Sequence, residues 1–143
     1  MKKKLNCVLL VDDNESDNFL HKRIIEKANI TDHVQIAEDG KEALDFFLAK
    51  RKFGQPEGSY CRPELIFLDI NMPVMDGWQF LYEYNKLEDV QQGKTVVIIL
   101  TTSLNPNDRI QSEKMFGSGH YQYKPLTLEL IHEIIQKHFP DYL

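Results

Sequence analysis

The chain has 143 residues, the length of one ordinary domain, and its composition, 42% hydrophobic and 27% charged, is that of a soluble globular protein. The formal net charge of -5, with scattered basic residues, argues against nucleic acid as the main partner, because phosphate contacts need clustered lysine and arginine. The apolar runs are too short for a membrane span or a secretory signal, so we expect a cytoplasmic protein with no membrane contact.

Strand-like and helix-like segments alternate along the chain. Five short apolar runs have strand character, and they lie at residues 5–11, 33–37, 65–68, 95–100 and 119–123. The first predicted helix is capped by Ser16 or Asp17 and ends at Asn29, and the second ends near Lys50. The third extends from Trp78 and ends before Gly93. The fourth begins at Pro106, with Asn105 as its cap, and ends at Gly117, and the fifth extends from Thr127 to Phe139. The alternation predicts a doubly wound α/β domain with five parallel strands and five helices.

Two local expectations accompany this pattern. Phe19 and Leu20 fall at helical spacing with other apolar residues, which predicts that they lie on the apolar stripe of the first helix. From Arg51 to Pro63 the composition changes to Gly, Pro, Ser and charged residues without periodicity, which predicts a loop longer than the usual α/β connection of about two to six residues. This loop is either a surface insertion, which we favour, or a recognition element.

Polar side chains follow four of the five predicted strands. Because the carboxyl ends of parallel strands meet at one edge of the sheet, where ligands and catalytic groups collect, we expect these side chains to lie close together. They are Asp12 and Asp13 after the first strand, Asp69 after the third, Thr101 and Thr102 after the fourth, and Lys124 after the fifth. Taken singly, each has a simpler explanation, a turn or cap for the acids and an exposed side chain for the lysine.

Three of these residues suggest a metal site. The carboxylates of Asp12, Asp13 and Asp69 repel one another if they converge, unless a cation lies between them. Mg²⁺ prefers oxygen ligands and often shares its coordination sphere with a phosphate. We therefore predict a Mg²⁺ site at this edge, with a capped turn at Asp12 and Asp13 as the alternative.

The third strand continues into the run Asp69-Ile70-Asn71-Met72-Pro73-Val74-Met75-Asp76-Gly77. This run, with the acids, hydroxyls and lysine at the other strand ends, resembles the receiver domain of two-component response regulators, from about Leu5 to about Phe139. The resemblance implies a flavodoxin-like strand order, 2-1-3-4-5, and a single receiver domain over residues 1–143 without an output domain. It also implies that Asp69 accepts a phosphoryl group from a phosphohistidine on a sensor histidine kinase or a histidine phosphotransfer protein.

The resemblance assigns the metal ligands and the groups that contact the phosphoryl oxygens. The Mg²⁺ ligands are the side chains of Asp13 and Asp69 and the backbone carbonyl of Asn71, with Asp12 oriented through the first shell of the ion. Lys124 and a threonine hydroxyl then compensate the charge of the phosphoryl oxygens, as phosphoryl transfer requires.

The resemblance also implies a conformational switch. The hydroxyl of Thr101, which we favour over Thr102, bonds the phosphoryl group, and Tyr121 rotates into the vacated space and changes the face of the fourth helix, fifth strand and fifth helix. An ordinary strand aromatic with its hydroxyl in water is the alternative for Tyr121. Asn71 and Ser103 lie where water reaches the acyl phosphate, and these small residues predict dephosphorylation without a separate phosphatase.

The favoured function is a signalling module, not an enzyme, that binds a partner or passes the phosphoryl group onward, either as a monomer or as a phosphorylation-dependent homodimer around Tyr121. One alternative is a Mg²⁺-dependent phosphatase with an aspartate nucleophile, but such enzymes carry a second acid two residues later, where this chain has Asn71, and a cap domain. Another is a receiver that only binds proteins. A flavin or dinucleotide site is not supported, because no Gly-rich phosphate-binding loop follows the first strand of this chain. The chain also resembles small receivers paired with phytochrome-type kinases.

Overall fold

The structure, a computed structural model, describes residues 4–53, 63–73, 75–87 and 95–142, with residues 48–53 described by their backbone alone. Five strands form one parallel sheet: β1 (Val8–Val11), β2 (Val34–Ala37), β3 (Leu65–Leu68), β4 (Val96–Thr101) and β5 (Tyr121–Tyr123). Five helices alternate with them: α1 (Glu15–Ala28), α2 (Gly40–Phe53), α3 (Gly77–Tyr84), α4 (Pro106–Phe116) and α5 (Leu128–His138). The strand order is β2-β1-β3-β4-β5, so the predicted fold class and flavodoxin-like order are confirmed.

Strands β1 and β3, in the interior of the sheet, are buried on both faces, which explains their continuous apolar sequence. On one face, Val8, Leu10 and Phe67 pack with the core of α1 and α5. On the other face, residues of the same strands pack with the core of α2 and α3, among them Leu9 and Ile66. The sheet is therefore covered on both sides, and its carboxyl edge is left for the polar side chains.

Strand pairing sets which residues meet at that edge. Val11 at the end of β1 pairs with Leu68 at the end of β3, so the residues that follow these two strands are neighbours. The other side of the edge is built by β4, in which Thr101 pairs with Tyr123 of β5. The fourth strand thus reaches one residue beyond its predicted end at Leu100, and this places Thr101 within the sheet.

The first helix differs from its prediction in its cap and in its buried face. Asn14, not Ser16 or Asp17, caps α1, because its side chain accepts a hydrogen bond from the amide of Asp17. The predicted end is confirmed, since Asn29 adopts the left-handed conformation (φ 58°). The prediction that Phe19 and Leu20 lie on the apolar stripe is wrong, because these residues are 59% and 57% exposed. The buried face of the helix instead comprises Asn18, His21 and Ile25.

Other boundaries shift by a few residues. The second helix continues to Phe53, so the helix includes the start of the predicted loop, and residues 54–62 of that loop lie outside the described residues. The third helix ends at Tyr84, well before the predicted limit at Gly93, which also lies outside them. Asn105 caps the fourth helix as predicted, and Thr127, the predicted first residue of the fifth helix, is its N-cap. In the part of the chain that the structure describes, no helix combines the length and apolar character needed to cross a membrane.

Candidate functional site

The three predicted acids meet at the carboxyl edge of β1 and β3. The amide of Asp69 donates to the carbonyl of Val11 at 2.9 Å, which fixes the end of β3 against β1. Asp12 and Asp69 are buried, 5% and 7% exposed, whereas Asp13 is exposed. One carboxylate oxygen of each of the three acids lies within 4.8 Å of the corresponding oxygens of the other two. The structure therefore brings together the acids that the sequence pattern placed at separate strand ends.

Local turns orient the two buried carboxylates. Asp12 Oδ1 accepts from the amide of Asn14 at 2.9 Å, and Asp69 Oδ1 accepts from the amide of Asn71 at 3.1 Å. Each acid thus makes the turn that its simpler interpretation predicts. Because only one oxygen is used in each turn, Oδ2 of each carboxylate remains to face the centre of the site, and the turn fixes its direction.

Lys124 lies at the centre of the acids. The register of β5 against β4 positions its backbone, since the amide of Lys124 donates to the carbonyl of Thr101 at 3.0 Å. Its Nζ lies 2.7 Å from Asp12 Oδ2, 2.8 Å from Asp17 Oδ2 and 3.3 Å from Asp69 Oδ2. The side chain is only 9% exposed. One ammonium is therefore shared by three carboxylates.

The protonation equilibria reflect this crowding. Burial alone lowers the pKa of Lys124, but hydrogen bonds to Asp12 and Asp17 and the charge of Asp69 outweigh it and raise that pKa well above its ordinary value. Burial raises the pKa of the Asp69 carboxyl, opposed by the Asn71 amide and by Lys124. The lysine stays protonated, and it is a single positive charge among three carboxyl groups.

The chemistry of the donors fits a magnesium ion. Mg²⁺ prefers hard oxygen ligands and is usually bound through one or two carboxylates. Asp13 is exposed, so its carboxylate is open to an ion that retains several waters. One oxygen each of Asp12, Asp13 and Asp69 lies within 4.8 Å of the other two, and three carboxylates this close together favour a bound cation. The residues at this edge therefore suit Mg²⁺ better than a soft metal, for which sulfur and imidazole ligands are typical.

The two candidate threonines differ in burial. Thr101 is fully buried, and its Oγ1 accepts from the amide of Ser103 at 3.1 Å. Thr102 is exposed. The carbonyl of Thr101 also accepts a hydrogen bond from the amide of Lys124, so the two residues lie at the same edge of the sheet.

A hydrogen-bonded chain links the loop after β4 to two helices. The Tyr121 ring is 3% exposed and its hydroxyl donates to the carbonyl of Ser103 at 3.2 Å, so this hydroxyl is bonded within the protein, not to water. Ser103 Oγ donates to Asp108 Oδ2 at 2.6 Å, and Trp78 Nε1 donates to Asp108 Oδ1 at 3.1 Å. The loop that carries Ser103 is thereby tied to α3 and α4.

Sequence reasoning missed three polar residues of this region. Asp17 bonds Lys124, His21 accepts from the amide of Leu126 at 3.4 Å, and Asp108 bridges Ser103 and Trp78. Asp17 and Asp108 both occupy the first turn of a helix, where an acid is commonly explained by the helix dipole. Their sequence positions therefore carry no signal that separates them from ordinary first-turn acids.

Known proteins are similar to this chain in sequence and in fold. The family model described as the response regulator receiver domain matches residues 8–136. Response regulator Rcp1 of Synechocystis sp. is 34% identical over 129 residues, which cover 90% of this chain and 83% of that protein. The crystal structure of a two-component response regulator from Cytophaga hutchinsonii is 28% identical, with a TM-score of 0.81 over 96% of this chain and 99% of that one.

A second structure concerns a metal-bound relative. The crystal structure of the Mn²⁺-bound form of response regulator Rcp1 is 31% identical to this chain, with a TM-score of 0.69 and coverage of 92% of each chain. The family match spans most of the chain and includes all the acids, the threonine and the lysine of the site. The chain belongs to the response regulator receiver domain family.

Proposed function

We propose that this protein accepts a phosphoryl group on Asp69, from a phosphohistidine of a histidine kinase or phosphotransfer protein, and signals through a changed protein-binding face. The observation that carries the proposal is the environment of Asp69 Oδ2. This oxygen belongs to a buried carboxylate, lies 3.3 Å from the Lys124 ammonium and is part of the three-acid cluster. A carboxylate is an established nucleophile for acyl-phosphate formation.

Asp13 and Asp69, with the carbonyl of Asn71, are the proposed ligands of Mg²⁺, and Asp12 is oriented through the first coordination shell of the ion. Bound Mg²⁺ supplies positive charge that neutralises phosphoryl oxygens. The Mn²⁺-bound structure of the relative Rcp1 supports a divalent cation in this family. In this proposal the Asp69 carboxylate has two roles, since it binds the cation and accepts the phosphoryl group.

In the reaction, an Asp69 oxygen forms a bond to phosphorus as the phosphorus–nitrogen bond of the phosphohistidine breaks, and the electron pair stays on the imidazole nitrogen. Lys124 donates a hydrogen bond to one phosphoryl oxygen, and the Thr101 hydroxyl donates to another. The buried position of Thr101 beside Lys124 supports this assignment over the exposed Thr102.

The proposed switch begins at Thr101. In this structure Oγ1 of Thr101 accepts from the Ser103 amide, and Tyr121 bonds the carbonyl of the same residue. Movement of Thr101 toward a phosphoryl group breaks the first of these bonds and changes the loop that Tyr121 holds. The change then reaches the face of α4, β5 and α5, where Tyr123 and Ile110 are exposed. Such a face suits a protein partner or a second copy of the chain.

Loss of the phosphoryl group depends on how water reaches Asp69. Asn71 is exposed beside the phosphoacceptor, and Ser103 is partly buried with its hydroxyl bonded to Asp108. We therefore expect hydrolysis on the protein itself, without a separate phosphatase. An aspartyl phosphate that persists for many hours at neutral pH with Mg²⁺ would contradict this expectation.

Acetyl phosphate, a small phosphoryl donor, tests the proposal. Intact mass spectrometry after incubation with acetyl phosphate and Mg²⁺ should show a single phosphoryl adduct, which is absent without the metal and absent in Asp69→Asn. Asp76→Asn is the matched control, because Asp76 lies in the same run but serves as the N-cap of α3. An adduct on Asp69→Asn would reject Asp69 as the phosphoacceptor. No adduct on the wild type, with beryllofluoride binding also absent, would instead favour a module that only binds proteins.

A further inference from the structure

We propose that Asp17 is a positioning residue that holds the Lys124 ammonium in place while a phosphoryl group arrives at Asp69. The inference rests on the proposed function, because it concerns the lysine that contacts the phosphoryl group. Asp17 lies in the first turn of α1, and its carboxylate is 31% exposed. It is neither one of the strand-end acids nor part of the receiver motif that the sequence displays.

The contacts of Lys124 give Asp17 a distinct place. An ammonium has three N–H donors, and the Nζ atom of Lys124 lies within 3.3 Å of three carboxylates, those of Asp12, Asp17 and Asp69. The contact with Asp17, at 2.8 Å, is shorter than the contact with Asp69, at 3.3 Å. Asp17 is therefore a principal partner of the lysine and not a distant charge.

The three partners differ in what the reaction demands of them. Asp12 and Asp69 belong to the acid cluster whose oxygens lie within 4.8 Å of one another, and Asp17 lies outside that cluster. A bound cation competes for the oxygens of Asp12 and Asp69, and phosphorylation turns the Asp69 carboxylate into an acyl phosphate, whose negative charge lies on the phosphoryl oxygens and no longer on the carboxyl group. Both events weaken the hold of these two acids on Lys124. Asp17 keeps its charge and its contact throughout.

The structure of α1 leaves Asp17 available for this contact. Asn14 provides the N-terminal cap, so the Asp17 side chain is not needed to satisfy the first amides of the helix. One turn later, on the same face, His21 accepts a hydrogen bond from the amide of Leu126 at 3.4 Å. The first helix thus holds both the side chain of Lys124 and the backbone two residues after it, which restrains the segment that presents the ammonium.

The simpler explanation of Asp17 is a favourable interaction with the helix dipole, which any acid in the first turn makes. Glu15 offers the comparison, because it lies in the same turn and is exposed. Asp17→Asn and Glu15→Gln remove the same charge from the same helix end with little change in shape. Only the first removes a charged partner of Lys124.

Two binding measurements separate positioning from general electrostatics. We expect Asp17→Asn to weaken beryllofluoride binding in saturating Mg²⁺ by about fivefold to tenfold relative to Glu15→Gln, the size expected for one partly exposed charge-assisted contact. The rate of phosphorylation by acetyl phosphate should fall by a similar factor. Mg²⁺ affinity measured without beryllofluoride should change equally in the two variants, because neither residue belongs to the acid cluster.

The inference is overturned if Asp17→Asn and Glu15→Gln bind beryllofluoride with equal affinity, or if Asp17→Asn loses Mg²⁺ affinity by as much as it loses beryllofluoride affinity. Lys124→Gln, measured in parallel, separates this failure from failure of the proposed function. If Lys124→Gln loses beryllofluoride binding while Asp17→Asn matches its control, the function stands and the inference is wrong. If the wild type itself neither binds beryllofluoride nor becomes phosphorylated, the proposed function fails and the inference fails with it.

Discussion

Replacing Lys124 with glutamine should destabilise the folded protein when divalent cations are absent. The ammonium is the positive charge shared by Asp12, Asp17 and Asp69, and its side chain and those of Asp12 and Asp69 are each less than 10% exposed. Glutamine retains a hydrogen-bonding group of similar reach but no charge. The variant therefore leaves two buried carboxylates facing each other without compensation.

The geometry sets the size of the effect. Two unit charges at the 4.8 Å limit of the acid cluster repel by about 3.5 kcal/mol at an effective dielectric constant of about 20. Removal of one partner from a buried ion pair typically costs about 3 to 5 kcal/mol. We expect a loss of about 3 kcal/mol in the free energy of unfolding, which a domain with a stability of about 5 to 15 kcal/mol survives.

Urea unfolding at about pH 8, followed by far-ultraviolet circular dichroism, measures this loss with the carboxylates ionised. Lys4→Gln is the control, because Lys4 pairs with Asp32 at 3.0 Å but both side chains are solvent-exposed, 36% and 71%. That variant should lose less than about 1 kcal/mol. Millimolar Mg²⁺ should narrow the difference between Lys124→Gln and the wild type, because the cation replaces part of the missing charge. A loss below about 1 kcal/mol for Lys124→Gln, or a difference that Mg²⁺ leaves unchanged, would refute this reasoning.

Three further changes probe separate parts of the site. Asp13→Asn should not lower stability without metal, since it removes one of three like charges from the acid cluster, but it should abolish most Mg²⁺ binding by calorimetry; retained affinity would exclude Asp13 as a ligand. Burial lowers the pKa of His21, so on acidification below about pH 6.5 the unfolded chain takes up a proton that folded His21 resists, and stability falls. In urea unfolding between about pH 6.5 and pH 5, the stability of His21→Gln should therefore fall less steeply than that of the wild type, with a difference in slope of up to about 1.4 kcal/mol per pH unit. Equal slopes would show that His21 does not cause the loss. Asp108→Asn weakens the link between Ser103 and Trp78, so the change in Trp78 fluorescence on addition of beryllofluoride should shrink, and an undiminished response would show that the signal reaches Trp78 by another route.

The sheet and the strand-end acids could be predicted because both follow from short-range patterns. Strands buried on two faces are nearly continuous apolar runs, and the residue that ends such a run in a parallel sheet reaches the functional edge. Asp12 and Asp69 were found in this way. The order of the strands came from the family resemblance, since the runs alone do not say which strands are neighbours.

The contacts of Lys124 lie beyond such reasoning. Its bond to Asp17 joins residues 107 positions apart, and it exists because α1 and the segment after β5 lie against each other in the folded sheet. The exposed Phe19 and Leu20 show a related limit. Helical spacing identified a stripe, but the buried face was decided by Asn18 and His21, whose polar groups bond the backbone of Asp12 and Leu126.

The central claim is that Asp69 carries the phosphoryl group, and chemical mapping of the phosphorylated protein tests it most directly. Borohydride reduces an aspartyl phosphate to homoserine, which peptide mass spectrometry locates in the sequence. After treatment with acetyl phosphate and Mg²⁺, homoserine should be found at position 69 and should not form when the metal is omitted. Homoserine at Asp12 or Asp13 instead, or a phosphorylated protein with Asp69 unmodified, would contradict the account.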